Sequence, residues 1–447
     1  MDTKISVQEL SKHSSPEDGW IVINGNIWDV TEFAPKHPGG VEIINEYLGQ
    51  DASAAYNEVH GPSLAAKYLD TSCLKGRLDL STVTEEWKAK QASNIQSTPS
   101  PQKRPPLESI INMYDFEAAA EKVLSAKSWA FMSAAANDSF TKDSNIDCWR
   151  KIWFRPRVLV GVKNVDTSCE ILGEKFSLPL FNAPAALAKL SHDDGELAMA
   201  RGLVAKGSTI IVCHNASYSY PEVVSVLPEG YPTFYQLYFH KDRATTEKLM
   251  TEVAALKPRA VMVTVDLPVV GKREADERVK IETSSASGAA GGPAVTKDKK
   301  GSGLARATGS FIDSDLQWKD IKWLMDRFGI PVFLKGIQCA HDAKKALDIG
   351  CAGIFISNHG GRAVDTAQPS LLTLMEINAN CPEVLEQMEV FIDGGIRRGT
   401  DVLKAICLGA SGCCMGRPFH FAVGYGQEGV EHAIDSEYTL MLRKLKC

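Results

Sequence analysis

Two groups of residues in this 447-residue chain have side chains suited to moving electrons and protons. The first is His37-Pro38-Gly39-Gly40, followed by His60. Two neutral imidazoles reaching in from opposite sides can fill both axial positions of a haem iron, which then passes electrons but does not readily bind oxygen. The second is Ser357-Asn358-His359-Gly360-Gly361-Arg362, with Asp393-Gly394-Gly395 downstream. There an imidazole can take a proton while a planar guanidinium grips a carboxylate in two bonds, a set suited to removing a proton and two electrons from a small acid. Taken alone, each histidine is more often structural than functional. The HPGG turn with a second histidine 23 residues on shifts that balance toward a ligand pair.

Elements must hold these groups in place. Ahead of His37, apolar runs at 20–23 and 27–30 read as strands joined by a turn at Asn24-Gly25-Asn26. Helical spacing follows in Val41, Ile44, Tyr47 and Leu48, and a second helical segment at 52–59 leads to His60. Farther along, apolar runs of strand length recur at 178–183, 209–213, 233–238, 260–266, 331–335, 353–357, 389–393 and 412–416, with helical patterns between them. Eight such units predict an α/β fold, a (β/α)8 TIM barrel, in which chemistry gathers where the strands end. Gln236, Tyr238, Thr264, Asp266, Lys335, His359, Arg362, Asp393 and Arg417 all fall at or just past those ends. A strand-end Asp or Thr is commonly a helix cap, and a lone Lys or Arg commonly solvates a rim. Six consecutive ends carrying polar groups toward one mouth are hard to read that way.

Glycines and arginines near the end of the chain (Gly394, Gly395, Arg397, Gly409, Gly416 and Arg417) would let backbone amides approach a phosphate after the seventh and eighth strands. No G-x-G-x-x-G stands between a strand and a helix with an acid downstream, so a dinucleotide fold is not expected, and flavin mononucleotide is the favoured ligand.

Composition narrows the class further. A net charge of −6 with scattered Lys and Arg gives no footprint for nucleic acid. Eleven cysteines without a C-x-x-C pair point to neither a zinc site nor a disulfide framework. No run approaches the roughly 18 apolar residues that span a bilayer, so no membrane insertion is expected. Residues 1–8 lack the features of a leader, giving a cytoplasmic expectation, or a mitochondrial one if a presequence has been removed. The polar, proline-rich stretch at 91–106 cannot build a core. It divides the chain into a module at 1–80, a linker at 81–106 and a body at 107–447. Residues 283–303, rich in Gly, Ala, Ser and Lys, read as a mobile excursion from that body.

The module resembles cytochrome b5 over nearly its whole length, carried by Trp20, Val22, Trp28-Asp29-Val30, the HPGG turn, Asp51-Ala52-Ser53 and His60. Residues from about 107 to 442 resemble the FMN-dependent L-2-hydroxy-acid dehydrogenases and oxidases. That match rests on Tyr235-Gln236-Leu237-Tyr238, Val263-Thr264-Val265-Asp266, Lys335-Gly336, Ser357 to Arg362 and Asp393 to Thr400. The resemblance implies two cofactors, FMN and haem b, with His37 and His60 as iron ligands. It implies His359 as the base, with Asp266 fixing its tautomer. Arg362 and Arg273 would hold the substrate carboxylate, and Tyr238 would bond the substrate oxygen. Lys335 would sit beside the flavin N1 and O2, and Gln236, Thr264 and Ser357 would hold the ring edge. Asp393, Gly394, Gly395, Arg397, Gly416 and Arg417 would bind ribityl and phosphate.

The implied activity is oxidation of a small 2-hydroxy acid, with electrons passing from FMN to haem and then to a one-electron acceptor such as cytochrome c. An oxidase using oxygen, and a catalytically weak flavin and haem binding protein, are the alternatives. Several positions depart from the family pattern. Phe131 stands where a tyrosine is expected to meet the carboxylate, Ala185 where a threonine is usual, and His214 where a small hydroxyl residue is usual. Ala186 and Ala216, small in stretches that wall the substrate side chain, imply a substrate larger than lactate. A homo-oligomer is expected, a tetramer by resemblance. The sequence runs only to Cys447, however, without the tail that commonly packs subunits, which sets the tetramer in question.

Overall fold

The structure, a computed structural model, describes residues 3–37, 40–88, 103–159, 165–279 and 304–445. Pro38 and Gly39 of the HPGG turn, most of the proline-rich stretch and the 283–303 segment lie outside the described residues.

Eight parallel strands form the body. They are Leu180–Asn182, Ile211–Val212, Phe234–Leu237, Ala260–Thr264, Val332–Ile337, Gly353–Ile356, Glu389–Ile392 and Gly412–Met415. Each falls inside or across one of the expected runs. Neighbours pair in sequence order, and the last strand pairs back onto the first. A side chain closes the seam between the first and second strands. Asn182 accepts from the Ile211 N–H at 2.8 Å and donates to its carbonyl at 2.9 Å, so the buried edge leaves no unmet backbone groups there.

Alternate residues of these strands point inward, and at the N-terminal end they supply phenylalanines. Phe391 lies 5.2 Å from Phe181, 5.4 Å from Phe333 and 6.0 Å from Phe355, ring centre to ring centre, and all are fully buried. Burying such a ring is worth about 1.5–3 kcal/mol, so the floor is a stabilising plug and the open end is left for chemistry.

The small module is a sheet with short helices on it. Asp18–Ile23 and Asn26–Asp29 form the expected hairpin, and their turn uses Asn24 at φ 52° and Gly25 at φ 78°, the positive angles a two-residue hairpin loop requires. The helices Val41–Asn45 and Ser53–Val59 follow, and with the strands they bury Ile21, Val30, Ile44 and Leu48. The module touches the barrel beyond His60. The Gly61 N–H donates to the Ser217 carbonyl at 2.8 Å, Ser63 donates to Glu222, and Lys67 lies 3.4 Å from Glu252.

Candidate active site and haem-ligand pair

His359 follows the sixth strand, held at φ 58°, a left-handed conformation uncommon for a residue with a side chain and a mark of a constrained position. The constraint comes from its neighbours. Its backbone N–H donates to Ser357 Oγ at 3.0 Å, and the Asn358 side chain caps the Gly361 N–H at 3.1 Å. Asn358 is itself locked by Asn145 through two 2.9 Å bonds. The ring then meets Asp266, just past the fourth strand, with Nδ1 2.9 Å from Oδ1. An ionised carboxylate there keeps the proton on Nδ1 and leaves Nε2 as a free base.

The electrostatics agree with that assignment. Burial lowers the pKa of His359 and outweighs the upward pull of Asp266. Burial also opposes ionisation of Asp266, but His359 and Lys335 carry it below its usual value. Among the described residues, Asp266 Oδ2 has no hydrogen-bond partner.

A cavity opens beside the ring, lined by Tyr238, Arg273, Lys335, His359, Arg362, Asp393, Gly394, Gly395, Arg397, Gly416 and Arg417 among others. Eleven of the expected residues are thus brought to one mouth. Gln236, Thr264, Asp266 and Ser357 stand behind it. Gln236 donates to Thr264 at 2.9 Å, and Lys335 Nζ lies 3.1 Å from Ser357 Oγ and 3.8 Å from Asp393. Burial, then Arg273 and Arg417, hold Arg362 well below its ordinary value. Asp276 acts on Arg362 and Arg273, and Glu117 and Asp393 act on Arg417, yet the mutual repulsion of three guanidiniums still favours an anion among them. Burial also keeps the Tyr238 phenol neutral, a hydrogen-bond donor.

The residues fit a flavin with a phosphate. Lys335 supplies a buried cation, Asp393 Oδ1 and Arg397 Nε are buried without partners, and Arg417 caps the cluster. The glycines have a second reason to be glycine. A Cβ on Gly395 would lie 2.3 Å from the Asn145 backbone and one on Gly361 2.6 Å from Lys142 N, so both admit the helix Phe140–Arg150. At Gly416 the nearest atom would be 3.7 Å away, leaving room on the cavity side.

In the small module, the rings of His37 and His60 are 6.2 Å apart centre to centre. Two metal–nitrogen bonds of roughly 2 Å plus the reach from each ring centre come to about 6 Å, so the pair fits an iron between them. His37 Nδ1 bonds the Gly40 carbonyl at 3.2 Å, leaving its other nitrogen for the metal. Burial lowers His37, and burial with His37 takes His60 down to about 4, so both are neutral lone-pair donors. Gly40 sits at φ 91°, a conformation that favours glycine.

Two departures fall elsewhere than expected. The His214 ring is turned away from the main cavity, accepting the Tyr238 backbone N–H at 3.2 Å on Nδ1. Ala216 lines a second cavity, under Leu64 and Tyr68 of the small module, and so does not wall the substrate side chain. Phe131, Ala185 and Ala186 do line the main cavity. Sequence reasoning missed Lys142, Asn145 and His420. Lys142 and Asn145 lie three apart on one helix, a spacing that puts both on the face covering the site.

Residues 120–442 match the model of the family "FMN-dependent dehydrogenase", and residues 6–79 match "Cytochrome b5-like Heme/Steroid binding domain". The chain is 38% identical to the L-lactate dehydrogenase (cytochrome) of Saccharomyces cerevisiae over 97% of its own length and 75% of that relative. Glycolate oxidase 1 of Oryza sativa subsp. indica is 36% identical, over 73% of this chain and 88% of that protein. Among solved structures, a double mutant of flavocytochrome b2 with pyruvate bound is similar, with a TM-score of 0.69, 35% identity, and coverage of 81% of this chain and 88% of that one.

Proposed function

The chain belongs to the FMN-dependent dehydrogenase family, with a cytochrome b5-like domain at its N-terminal end, and from that premise we propose that it oxidises an L-2-hydroxy acid to the 2-keto acid and passes the electrons through its own haem. The observation that carries this reading is the juxtaposition of the His359–Asp266 pair with Arg362 and Arg273 in one cavity of a chain that also holds the His37–His60 pair.

Each residue has a physical task. Arg362 and Arg273 bind and orient the substrate carboxylate, and Tyr238 donates to the substrate oxygen. His359 Nε2 takes the proton released during oxidation, and Asp266 stabilises the resulting imidazolium. FMN held here would accept the two electrons together with the second hydrogen of the CH–OH group, and haem b held between His37 and His60 would relay the electrons singly. Lys335 places a positive charge where electron density collects, with Gln236, Thr264 and Ser357 beside it to hold the ring edge. Asp393, Gly394, Gly395, Arg397, Gly416 and Arg417 hold ribityl and phosphate.

The working units are residues 1–80 and 107–447, with 81–106 as the connection. A one-electron acceptor such as cytochrome c is the partner we infer, since a relative matching nearly the whole chain is named L-lactate dehydrogenase (cytochrome). No described helix is long and apolar enough to cross a membrane. A cytoplasmic location, or a mitochondrial one if a presequence has been removed, is proposed from the sequence alone. Trp153, Phe154, Val158 and Leu159 are exposed apolar side chains, interrupted by Arg155 and Arg157, and their exposure supports a homo-oligomer in which a second copy covers them.

Mixing the holoprotein anaerobically with L-2-hydroxy acids of increasing side-chain size tests the reading. Flavin bleaching together with reduced-haem absorption is the expected result. Bleaching with an unreduced haem would instead favour an oxidase, and no bleaching with any acid would favour a binding protein.

A further inference from the structure

His420 projects into the main cavity from the helix Arg417–Ala422, one turn after Arg417, and is 4% exposed. Its surroundings on that wall are Phe131, Met132, Ala185 and Arg362. One side of its ring is hydrogen-bonded to the Ala185 backbone, while its Nε2, fully buried, has no partner among the described residues. Buried polar nitrogens are seldom left unmet, because the lost bond to water is not replaced. Burial, followed by the Arg362 charge, takes the ring down to about 4. The imidazole is therefore neutral near pH 7. With its N–H given to the Ala185 carbonyl, Nε2 presents a lone pair and can only accept.

We propose that His420 Nε2 accepts a hydrogen bond from a hydroxyl of the ligand seated in this cavity, and that His420 is a binding residue of the site. The chemistry excludes a carboxylate or carbonyl oxygen as its partner, since both are acceptors. With the substrate's 2-hydroxyl assigned to Tyr238 and His359, it leaves two sources of a hydroxyl. One is the ribityl chain of the flavin, whose phosphate the neighbouring Arg417 faces. The other is a hydroxyl on the substrate side chain, which would make polyhydroxylated 2-hydroxy acids favoured substrates. The inference rests on the reading of the cavity as a flavin and hydroxy-acid site.

Two arms on the full-length protein separate the sources. The first titrates the FMN-free protein with FMN and follows flavin fluorescence, for wild type, His420→Leu and His420→Gln. The second compares flavin bleaching by 2,3-dihydroxypropanoate and by 2-hydroxybutanoate, acids of similar size that differ in one hydroxyl. If the ribityl chain is the donor, His420→Leu weakens FMN binding about five- to tenfold, the effect of one neutral hydrogen bond, and His420→Gln restores most of it. If the substrate is the donor, FMN binding is unchanged, but wild type favours the dihydroxy acid by a similar factor and His420→Leu abolishes that preference. Unchanged FMN binding together with no preference in wild type overturns the proposal. Should His420→Leu fail to fold, wild type titrated with flavins lacking single ribityl hydroxyls gives the same reading. A protein that bleaches with neither acid yet still loses FMN affinity on His420→Leu would refute the proposed reaction while leaving the binding role intact.

Discussion

Two histidine sites in this chain start from the same condition and end with different tasks. His37, His60 and His359 are each partly buried, and desolvation lowers the pKa of all three. Behind His37 stands a neutral carbonyl, that of Gly40, whereas behind His359 stands the carboxylate of Asp266. A ligand to iron needs a permanently free lone pair, and a carbonyl supplies orientation without inviting a second proton. A catalytic base must become a cation midway through its task, and only a negative charge offsets the burial that opposes it. Burial makes both histidines neutral, but the group on the far side of the ring decides whether neutrality is a resting state or a starting point.

The contrast breaks most sharply at the base itself. His359→Gln should slow anaerobic flavin bleaching by about 10²- to 10⁴-fold while leaving haem absorbance intact, the loss expected when a positioned general base is removed. His60→Ala should do the reverse, abolishing the bis-histidine haem spectrum while 2-hydroxy acids still bleach the flavin. Asp266→Asn should cost about 10- to 100-fold in bleaching rate, measured in the same stopped-flow experiment. It should also move the acid limb of the pH profile. His359 works when unprotonated, so activity falls as pH drops through its pKa, which lies below the ordinary 6.5. Asp266 raises that pKa, so removing its charge shifts the limb to lower pH, and a limb that moves upward or stays put would contradict the pairing. The smallest change sharpens the carboxylate grip. Phe131→Tyr adds a phenol to the cavity wall and should tighten binding of a keto-acid product about threefold to tenfold in a flavin-difference titration, consistent with the net gain from one added hydrogen bond.

A second contrast runs along the barrel axis, between the polar mouth and the phenylalanine floor. Phe391→Ala, at the hub of four other rings, should destabilise the barrel by about 3–5 kcal/mol in chemical denaturation without altering the substrate preference of whatever remains folded.

Much of this was readable from the chain, for identifiable reasons. The eight strands announced themselves because buried parallel strands must be continuous apolar runs, such as Ala260–Thr264. The polar residues at their ends, among them Lys335 and Asp393, stood out because nothing in the strand's own packing calls for them. Less was readable wherever the deciding partner is remote in sequence. His214 stands where a small hydroxyl residue is usual, and nothing near it in sequence shows that its ring turns to the Tyr238 backbone, 24 residues on. Ala216 looked like part of the substrate wall and lies instead under the small module. Gly395 looked like a phosphate-cradle residue and also makes room for a helix some 250 residues earlier in the chain.

Local sequence determined which residues could accept protons, ligate iron or form strands, since periodicity, turn chemistry and side-chain functional groups act over a few residues. Tertiary structure alone decided which of them meet. The Asp266 carboxylate reaches His359 across 93 residues, and Asn145 braces Asn358 across 213. Whether a buried histidine is a base, a ligand or an unfilled acceptor like His420 depends on what the closed barrel sets beside it. The reason is that desolvation and hydrogen bonding act through space, over a few ångströms, and take no account of distance along the chain.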